Sequence, residues 1–428
     1  MDLSLPRGMR DLQPEDYEAL ERVRDSFIEV SRIFGFRLME PSPIELIQTL
    51  EAKSGPGVRN EVYYFQDKAG RDVGLRFDLT VGLTRYVVSN RSLPSPIKIG
   101  SFSGMWRYDE PQYGRYRWFY QWDAEIFGPK SVEADAEVIA FASALFDRLG
   151  LKEVSIEIGD RGVTEEFIRS RIGVQDEERV LALLRAVDKL AKKSVEDVLE
   201  EYGKMGVDRA SLNRLIEFGQ LKGEPETVLK WLGEEKLEKI DDLSRLTDLL
   251  RARQVPNIKL NLGIVRGLDY YTGVVFEVFE RKNSSLGALA GGGRYDILPK
   301  IFGRDDLGAT GVAGGVERTV LALSKTGAGV TAENRVYVGY VSEEMMGPAS
   351  EIASKLRRIG LPTDLELSGR GLRKQLESAS KSAVVFVLVG PRDYAGHQVT
   401  LRDMRSGVES KIDLKDIEDQ VKSLLKIG

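Results

Sequence analysis

Apolar residues at helical spacing predict the first element of the chain. Pro14 suits the first turn of a helix, because the amide hydrogen that proline lacks would have no partner there. Apolar side chains from Leu20 to Phe34 then recur every three or four residues, as on one buried helix face. The pattern predicts a helix that ends near Gly35 and a strand over 36–39.

Residues 61–128 combine many aromatic side chains with arginines. Short strands joined by turns fit this stretch better than long helices, and the best strand candidates are Asp72–Phe77 and Arg117–Ile126. Helical spacing of apolar residues returns over Ala134–Leu149. The first part of the chain therefore predicts a sheet with helices packed against it.

Residues 162–255 have a different character. They are rich in Lys and Glu, and apolar positions such as Val180, Leu183 and Val187 lie on one helical face. Few strand signals occur in this stretch. The pattern predicts a helical domain inserted into the strand-rich unit.

Strands and glycines return over 256–325. Val274–Phe279 predicts a strand, Ala290–Asp296 predicts a tight glycine loop, and Gly314–Arg318 leads into a helix that ends near Ser324. After the glycine-containing linker 326–329, strand and helix patterns alternate to the end of the chain. This alternation predicts a small α/β domain with a mixed sheet.

The composition excludes several kinds of chemistry. The chain has 428 residues, no cysteine, one histidine and a formal net charge of −5. Disulfides, thiolate catalysis and metal sites built from several histidines of one chain are excluded. We expect a cytoplasmic protein without a membrane span, because there is no secretory signal and no apolar run near the roughly 18 residues that a span needs.

The stretch 106–125 is the densest in residues that could carry chemistry. Three arginines lie on two extended arms, and a guanidinium presents a fixed fork of donors that matches phosphate oxygens. Alternation along the second arm places Arg117, Phe119, Gln121, Asp123 and Glu125 on one face. This set suits a nucleotide and an amino acid. The alternative is an exposed cationic β-hairpin.

Three further segments carry weaker signals. In 266–273, glycines flank a charged and aromatic stretch, which suggests that the backbone approaches a ligand there. In 290–296, a run of glycines could mark only a turn. Arg318 lies in the first turn of a predicted helix, where the helix dipole opposes a cation, and a phosphate bound nearby would explain it.

Taken together and in this order, these segments resemble those of class II aminoacyl-tRNA synthetases, and among them the histidyl-tRNA synthetase family. Residues 43–45 resemble the first motif of the class, 106–125 the second and 311–318 the third. The segments 266–273 and 290–296 resemble the two that are specific to the histidine family. The resemblance covers almost the whole chain.

The resemblance implies an α+β fold. An antiparallel sheet of six or seven strands is expected, flanked by helices and interrupted by a helical insertion, with a C-terminal α/β anticodon-binding domain. The implied domains are a first catalytic part at 1–161, the insertion at 162–255, a second catalytic part at 256–325 and the anticodon-binding domain at 331–428.

The same resemblance implies an ATP site formed by Arg107, Asp109, Arg115, Phe119 and Arg318. Arg107 would bind the α-phosphate, and Phe119 and Arg318 would enclose the adenine. Arg318 would also lie near the γ-phosphate, as would Arg115. Arg266 would lie across the α-phosphate and do part of the work that a metal does in other class II enzymes. Mg²⁺ is expected on the β- and γ-phosphates, with no protein side chain predicted as its ligand.

The implied reaction joins L-histidine to ATP and then to the 3′ end of tRNA(His), with Arg107, Gln121 and Arg266 as catalytic residues. Glu125 and Tyr271 would bind the imidazole, with Tyr295 nearby. The histidine site as a whole would comprise Asp78, Thr80, Gln121, Glu125, Arg266, Tyr270, Tyr271 and Tyr295.

The resemblance further implies a homodimer and a tRNA partner. Gln112 would meet the acceptor end of the tRNA, and Arg370 and Arg373 would meet the anticodon stem. Because a site that bonds both imidazole nitrogens makes editing unnecessary, we expect the insertion to bind tRNA and not to hydrolyse mischarged product. Three alternatives stay open. One is a regulatory subunit of histidine biosynthesis, which usually lacks the C-terminal domain and the 266–271 segment. The second is a sensor of uncharged tRNA, but no kinase motif accompanies this sequence. The third is a generic ATP-binding α/β protein.

Overall fold

The computed structural model describes residues 3–110, 116–190, 193–203, 207–265, 270–282, 284–325 and 335–426. The chain divides into two units, Met1–Gly329 and Val330–Gly428. The first unit includes the predicted insertion, and the finer division into four parts stays a prediction. Within the described ranges, no helix is long and apolar enough to cross a membrane.

Within the described residues, a nine-stranded sheet forms the centre of the first unit. Its strand order is β1-β5-β6-β12-β11-β10-β7-β9-β8. A smaller sheet has the order β2-β4-β3. The strands are β1 (Arg37–Leu38), β2 (Ile44–Leu46), β3 (Tyr64–Gln66), β4 (Asp72–Leu75), β5 (Ile97–Trp106), β6 (Trp118–Gly128), β7 (Val154–Asp160), β8 (Lys222–Gly223), β9 (Ile258–Asn261), β10 (Val274–Glu280), β11 (Ala288–Arg294) and β12 (Gly308–Gly315).

The six neighbours from β5 to β7 in this order are all antiparallel, as expected. The sheet is wider than expected because short strands extend both edges. β1 pairs with β5 and β9 pairs with β7, both in parallel. The predicted α+β fold is confirmed, with a mixed rather than purely antiparallel sheet.

Helices cover the sheet and form the insertion. They are α1 (Pro14–Ile33), α2 (Ile47–Ser54), α3 (Thr80–Ser89), α4 (Val132–Arg148), α5 (Arg161–Phe167), α6 (Glu177–Lys189), α7 (Val195–Gly203), α8 (Arg209–Gln220), α9 (Pro225–Glu234), α10 (Ile240–Ala252), α11 (Ile297–Ile301) and α12 (Val316–Lys325). The predicted helices at 14–34 and 134–149 are confirmed as α1 and α4. Phe27 of α1 and Phe141 of α4 pack edge to face beside Trp122 of β6 in the buried core.

The glycine loop predicted over 290–296 is wrong for most of its length. Gly291, Gly292 and Gly293 lie inside β11 and pair with both β10 and β12. A Cβ on Gly292 would overlap the backbone of β12, so the neighbouring strands leave no room for a side chain there. The run of glycines therefore reflects close packing within a sheet and not a turn.

Arg294, at the end of β11, joins the sheet to α4. Its guanidinium is buried and donates to both carboxylate oxygens of Asp135 at 2.9 and 3.1 Å. It also donates to the carbonyl oxygens of Pro129 and Ser131 at 3.2 and 2.8 Å, in the turn before α4. A buried ion pair of this kind is strongly destabilising to break, because either charge alone would be left without a partner.

The second unit is a mixed sheet with helices on both faces. Its strands are β13 (Val336–Tyr340), β14 (Thr363–Leu365), β15 (Val385–Val389), β16 (Gln398–Asp403) and β17 (Glu409–Asp413). They follow the order β14-β13-β15-β16-β17, parallel among the first three and antiparallel thereafter. The helices are α13 (Met346–Arg358), α14 (Leu372–Ser382), α15 (Pro391–Ala395) and α16 (Ile417–Leu425). The α/β domain with a mixed sheet is confirmed.

Opposite faces of this sheet carry different helices. Val336 and Val338 of β13 share a buried cluster with α13 and α16, whereas Tyr337 between them shares another with Ala379 of α14. Arginines near one another in sequence, on α13 and on α14, are therefore carried by helices on different sides of the sheet.

Glu366, which follows β14, is buried and bonded to two partners. The Tyr337 hydroxyl donates to it at 2.7 Å, and the Arg370 guanidinium donates to it at 2.7 and 2.9 Å. Burial alone would raise the pKa of Glu366, but the bonds from Arg370 and Tyr337 outweigh it and lower the pKa to about 2. The stability that this contact adds is present above pH 4.5 and is lost as the pH falls toward 2.

We predict that Glu366→Gln removes this pH dependence. Urea unfolding of the full chain at pH 6 should show the variant to be less stable than the parent, and the difference should shrink as the pH is lowered from about 5 to about 2. Glu377→Gln is the matched control, because the carboxylate of Glu377 is exposed and pairs with Arg373. A Glu366→Gln difference that does not change with pH would contradict the prediction.

Candidate active site

Strand β6 carries the predicted alternation into the structure. Phe119 and Gln121 line an open cleft, and Asp123 and Glu125 further along the strand are buried. Trp122 and Ala124 belong to the core cluster that also contains residues of α1 and α4. The residues singled out from the sequence therefore share the face of β6 that is turned away from that core.

A cleft of about 330 Å³ brings together five residues predicted to bind ATP or to act in catalysis. They are Arg107, Asp109, Phe119, Gln121 and Arg318, contributed by the end of β5, by β6 and by the start of α12. Several other lining residues were not assigned to the site from the sequence, although most of them lie in the candidate segments 106–125, 290–296 and 311–318. The main ones are Tyr116, Glu277, Gly291, Gly315 and Glu317.

Two guanidinium groups in this cleft are oriented by backbone carbonyls. Arg107 Nε donates to the carbonyl of Phe77 at 2.9 Å, and its Cζ lies 5.0 Å from the centre of the Phe119 ring. Arg318 Nη1 donates to the carbonyl of Ala288 at 3.1 Å. Fixed cations beside an aromatic ring are the groups that a nucleoside triphosphate requires, for its phosphates and for its base.

Glu317, next to Arg318 in α12, bonds to β6 and to the N-terminal segment at the edge of the cleft. Its carboxylate accepts from the Tyr120 amide at 3.0 Å and from Arg10 at 3.1 Å, and burial raises its pKa. The Arg10 guanidinium also lies 3.8 Å from the centre of the Tyr116 ring. An acidic residue in the first turn of a helix is also favoured by the helix dipole, but this favourable position does not by itself indicate a place in the cleft.

A second group of predicted residues surrounds Glu125. The Tyr295 hydroxyl donates to Glu125 at 2.5 Å, and Tyr295 is only 1% exposed. Burial, followed by the charge of Glu125, raises the pKa of Tyr295 well above 10. The Tyr270 ring lies 5.4 Å from that of Tyr295 and 4.2 Å from that of Tyr271, between ring centres. Three tyrosines and one carboxylate therefore meet in one place.

Two more carboxylates, those of Asp78 and Asp123, lie close enough to affect the Tyr270 hydroxyl. Burial raises the pKa of Tyr270 well above 10, and the charges of Glu125, Asp78 and Asp123 raise it further. The Thr80 hydroxyl donates to Asp123 at 3.3 Å. Asp123 was placed on the correct face from the sequence but was not assigned to the site. Its burial and charge make it part of an anionic pocket beside the cationic cleft.

The strand predicted over Asp72–Phe77 ends two residues early, just before Asp78. β4 ends at Leu75 and α3 begins at Thr80, and the residues between them belong to neither element. Asp78 Oδ1 accepts from the Val81 amide at 3.1 Å in the first turn of α3. A carboxylate with this bond stabilises a helix start, which explains why the strand ends early.

Gly311 leaves the space that Glu125 occupies. The two residues are paired in register between β6 and β12. A Cβ built on Gly311 would overlap the Glu125 carboxylate, and one on Gly314 would overlap the Trp122 ring. The glycines that the sequence shows in β12 are therefore required by neighbouring side chains of β6.

Several predicted residues lie outside the described ranges. These are Gln112, Arg115 and Arg266, together with the rest of 266–269. Among the described residues there is no group of three or more His, Cys, Asp or Glu that could hold a metal ion. Of the residues predicted to meet the anticodon stem, Arg373 has a side chain 92% exposed, whereas Arg370 is bonded to Glu366 and Tyr337.

An antiparallel sheet with this arginine-lined cleft, a helical insertion and a separate mixed α/β unit defines a class II aminoacyl-tRNA synthetase. The family model described as histidyl-tRNA synthetase matches residues 8–319, and the model described as anticodon binding domain matches residues 335–424. The chain belongs to the histidyl-tRNA synthetase family.

Relatives and solved structures agree over the full length. A histidine–tRNA ligase of Pyrococcus horikoshii is 39% identical over 98% of this chain and 99% of its own, and one of Thermoplasma volcanium is 33% identical over 97% and 98%. A histidyl-tRNA synthetase structure from a Nostoc species shares the fold, with a TM-score of 0.86 at 24% identity, covering 99% of both chains. A Bacillus halodurans structure, titled as an ATP phosphoribosyltransferase regulatory subunit/histidyl-tRNA synthetase, has a TM-score of 0.76 at 25% identity and covers 91% of this chain and 98% of its own.

We predict that Gly311→Ala destabilises the protein. The added methyl group would displace the buried Glu125 carboxylate, and overpacking of this kind costs about 1–3 kcal/mol. Gly233→Ala is the matched control, because Gly233 lies within α9 with open space around its Cβ position. There the same change should stabilise by up to about 1 kcal/mol. Urea unfolding of both variants checks this, and equal stabilities would refute the role given to Gly311.

Proposed function

We propose that the protein activates L-histidine with ATP and transfers the histidine to the 3′ end of tRNA(His). The observation that carries this proposal is the adjacency of two sites on one strand. The arginine-lined cleft at Phe119 and Gln121 suits ATP, and the anionic pocket at Asp123 and Glu125 suits a cationic amino acid. Family membership and the full-length ligase relatives support it.

In the first step the histidine carboxylate attacks the α-phosphorus of ATP and pyrophosphate leaves. Catalysis of such an in-line displacement rests on positioning and on neutralising phosphate charge. We assign Arg107 to the α-phosphate, Phe119 and Arg318 to the adenine, and Gln121 to the histidine carboxylate. Asp109 also lines the cleft. Arg115 and Arg266 would add positive charge at the phosphates, as the family resemblance implies.

Histidine selection would come from the anionic pocket. Imidazole carries a nitrogen on each flank, and we assign one to Glu125 and the other to Tyr271, with Tyr270 and Tyr295 as walls. Asp78 and Thr80 would hold the ammonium group. A site that bonds both nitrogens leaves its own buried polar groups without partners when another amino acid enters, which can give discrimination of about 10⁴–10⁵. A separate editing activity is therefore unnecessary.

A magnesium ion fits the cleft. Mg²⁺ usually keeps several waters and takes only one or two protein carboxylates beside the phosphates of its nucleotide. Glu277 is a buried carboxylate that lines the cleft and would be its ligand, with Glu317 a second carboxylate at the rim. The ion would neutralise charge on the β- and γ-phosphates.

The helical insertion, the C-terminal unit and Gln112 would bind the tRNA. The match of residues 335–424 to the anticodon binding domain supports this role for the second unit. Arg373 is the exposed candidate for a phosphate contact. Arg370, which holds the buried Glu366, has an internal role in addition to any contact with tRNA.

A homodimer is the proposed assembly, and the small sheet β2-β4-β3 supports it. Ile44 and Leu46 are exposed on one side of β2, and Tyr64 and Phe65 of β3 are exposed as well. Glu45, between the two β2 residues, is buried and bonded to Arg85 at 2.8 Å. Exposed apolar residues on a sheet edge are typical of an interface, and a second copy of the chain is its expected occupant. A cytoplasmic location, where tRNA is charged, follows from the same proposal.

The regulatory-subunit alternative is less supported. Its usual marks are the loss of the C-terminal domain and of the 266–271 segment, and this chain has both in its sequence. The curated relatives that span nearly the whole chain are named as ligases.

We predict ATP–pyrophosphate exchange with histidine and with no other amino acid, in the presence of Mg²⁺ and without tRNA. Arg107→Ala removes the cation assigned to the α-phosphate and should lower the exchange rate by about 100- to 1,000-fold, the usual loss on removing one fixed donor to developing negative charge. Arg251→Ala, on the exposed face of α10, is the control and should retain the parent rate. Folded protein that shows no exchange with any amino acid would favour the regulatory alternative.

We predict that Arg373→Ala weakens tRNA charging but leaves pyrophosphate exchange unchanged. Loss of one phosphate contact should lower the slope of tRNA affinity against salt concentration by about one. Arg358→Ala is the control, because it removes the same charge from α13 on the other side of the sheet. If both variants, or neither, change the salt slope, α14 is not the tRNA face.

A further inference from the structure

The segment 270–273, which carries two tyrosines of the histidine pocket, is anchored by Arg161, the first residue of α5. Arg161 Nη1 donates to the carbonyl of Tyr271 at 2.6 Å. The amide of the same arginine donates to the carbonyl of Gly273 at 3.0 Å. One residue therefore bonds the backbone of this segment at two points, immediately before β10 begins.

The opposite side of the segment is held by Arg294. The Thr272 amide donates to the Arg294 carbonyl at 2.8 Å, and the Thr272 hydroxyl accepts from the Asp296 amide at 3.2 Å. Arg294 is itself fixed by Asp135. The backbone of 271–273 thus lies between a rigid anchor in β11 and the guanidinium of Arg161.

The position of Arg161 is unfavourable unless its charge has a use. It is the first residue of α5, where the helix dipole opposes a cation. The preceding residue, Asp160, is buried and already caps this helix by accepting from the Val163 amide at 2.9 Å. The helix start therefore does not need Arg161, whereas the Tyr271 carbonyl gains a charged donor from it.

We propose that Arg161 is a positioning residue for histidine recognition, which acts by fixing the backbone of Tyr271 and so the place of its ring. It does not touch the substrate. The inference rests on the proposed function, because it takes the pocket of Tyr271 and Glu125 to be the histidine site. It assigns a part in amino-acid binding to the start of α5, directly before the predicted insertion at 162–255.

The test compares the Michaelis constants for histidine and ATP in pyrophosphate exchange. Arg161→Met keeps the length of the side chain but removes its donors, and should raise KM for histidine about tenfold while KM for ATP changes less than about twofold. Arg161→Lys keeps one charged donor and should raise KM for histidine by only about two- to fivefold. Arg169→Met is the control, since Arg169 follows α5 and bonds Glu165 and Glu177 away from this segment.

A double-mutant cycle identifies the route of the effect. If Arg161 acts through Tyr271, then adding Arg161→Met to Tyr271→Phe should change KM for histidine less than about twofold further. Fully additive effects, or equal increases in both Michaelis constants, would overturn the proposal and leave Arg161 a structural residue.

Two controls keep the outcome clear. Thermal unfolding shows whether Arg161→Met is folded, and if it is not, Arg161→Lys alone decides, because an equal rise in both constants would again overturn the proposal. Failure of the proposed function would appear differently, as the absence of histidine-dependent exchange in the parent protein. A parent that is active and an Arg161→Met variant with unchanged constants would refute this inference only.

Discussion

The buried ion pair between Arg294 and Asp135 is the contact on which the architecture of the site depends. It fixes the end of β11 against α4, and this also sets the positions of the neighbouring residue Tyr295 and of the 270–273 segment. Tyr295, the next residue, reaches Glu125, and the Arg294 carbonyl holds the Thr272 amide. Without this pair, β11, α4 and the 270–273 segment would no longer be held in fixed positions relative to one another. A charge pair this deep is costly to desolvate, so its value lies in the arrangement that it imposes.

Charge changes sign along one strand, and this gradient organises the chemistry. Near Phe119 the face of β6 meets the guanidinium groups of Arg107 and Arg318, and further along the strand the carboxylates of Asp123 and Glu125 lie beside tyrosine side chains. Gln121, which is neutral, lies between the two regions. An anionic triphosphate and a cationic amino acid would each be attracted to opposite ends, and their reacting groups would meet in the middle. Because the strand is rigid, the spacing between the two ends is set by the fold and not by the ligands.

The sequence predicted most of the fold because its periodicities are strong where burial is complete. α1, α4 and the helical insertion were visible for this reason, and so was the face of β6. β5 was not identified, since Ser101, Ser103 and Gly104 weaken its apolar pattern. The glycines of β11 were misread as a loop, because their cause lies in the neighbouring strands. Glu277 and Glu317 were missed for the same reason, since only the folded chain shows that each lines the cleft.

The lack of a side chain at Gly311, beneath the Glu125 carboxylate, also limits how the protein can evolve. Any single-base change that alters the amino acid at a glycine codon, whether to alanine, valine, aspartate or another residue, adds a Cβ atom. At Gly311 each of these would intrude on the carboxylate above it. No single-base change that alters the amino acid at Gly311 is therefore expected to be neutral. New substrate preferences would have to arise by substitution of other residues of the pocket, such as Tyr270 and Tyr271, while Gly311 stays unchanged.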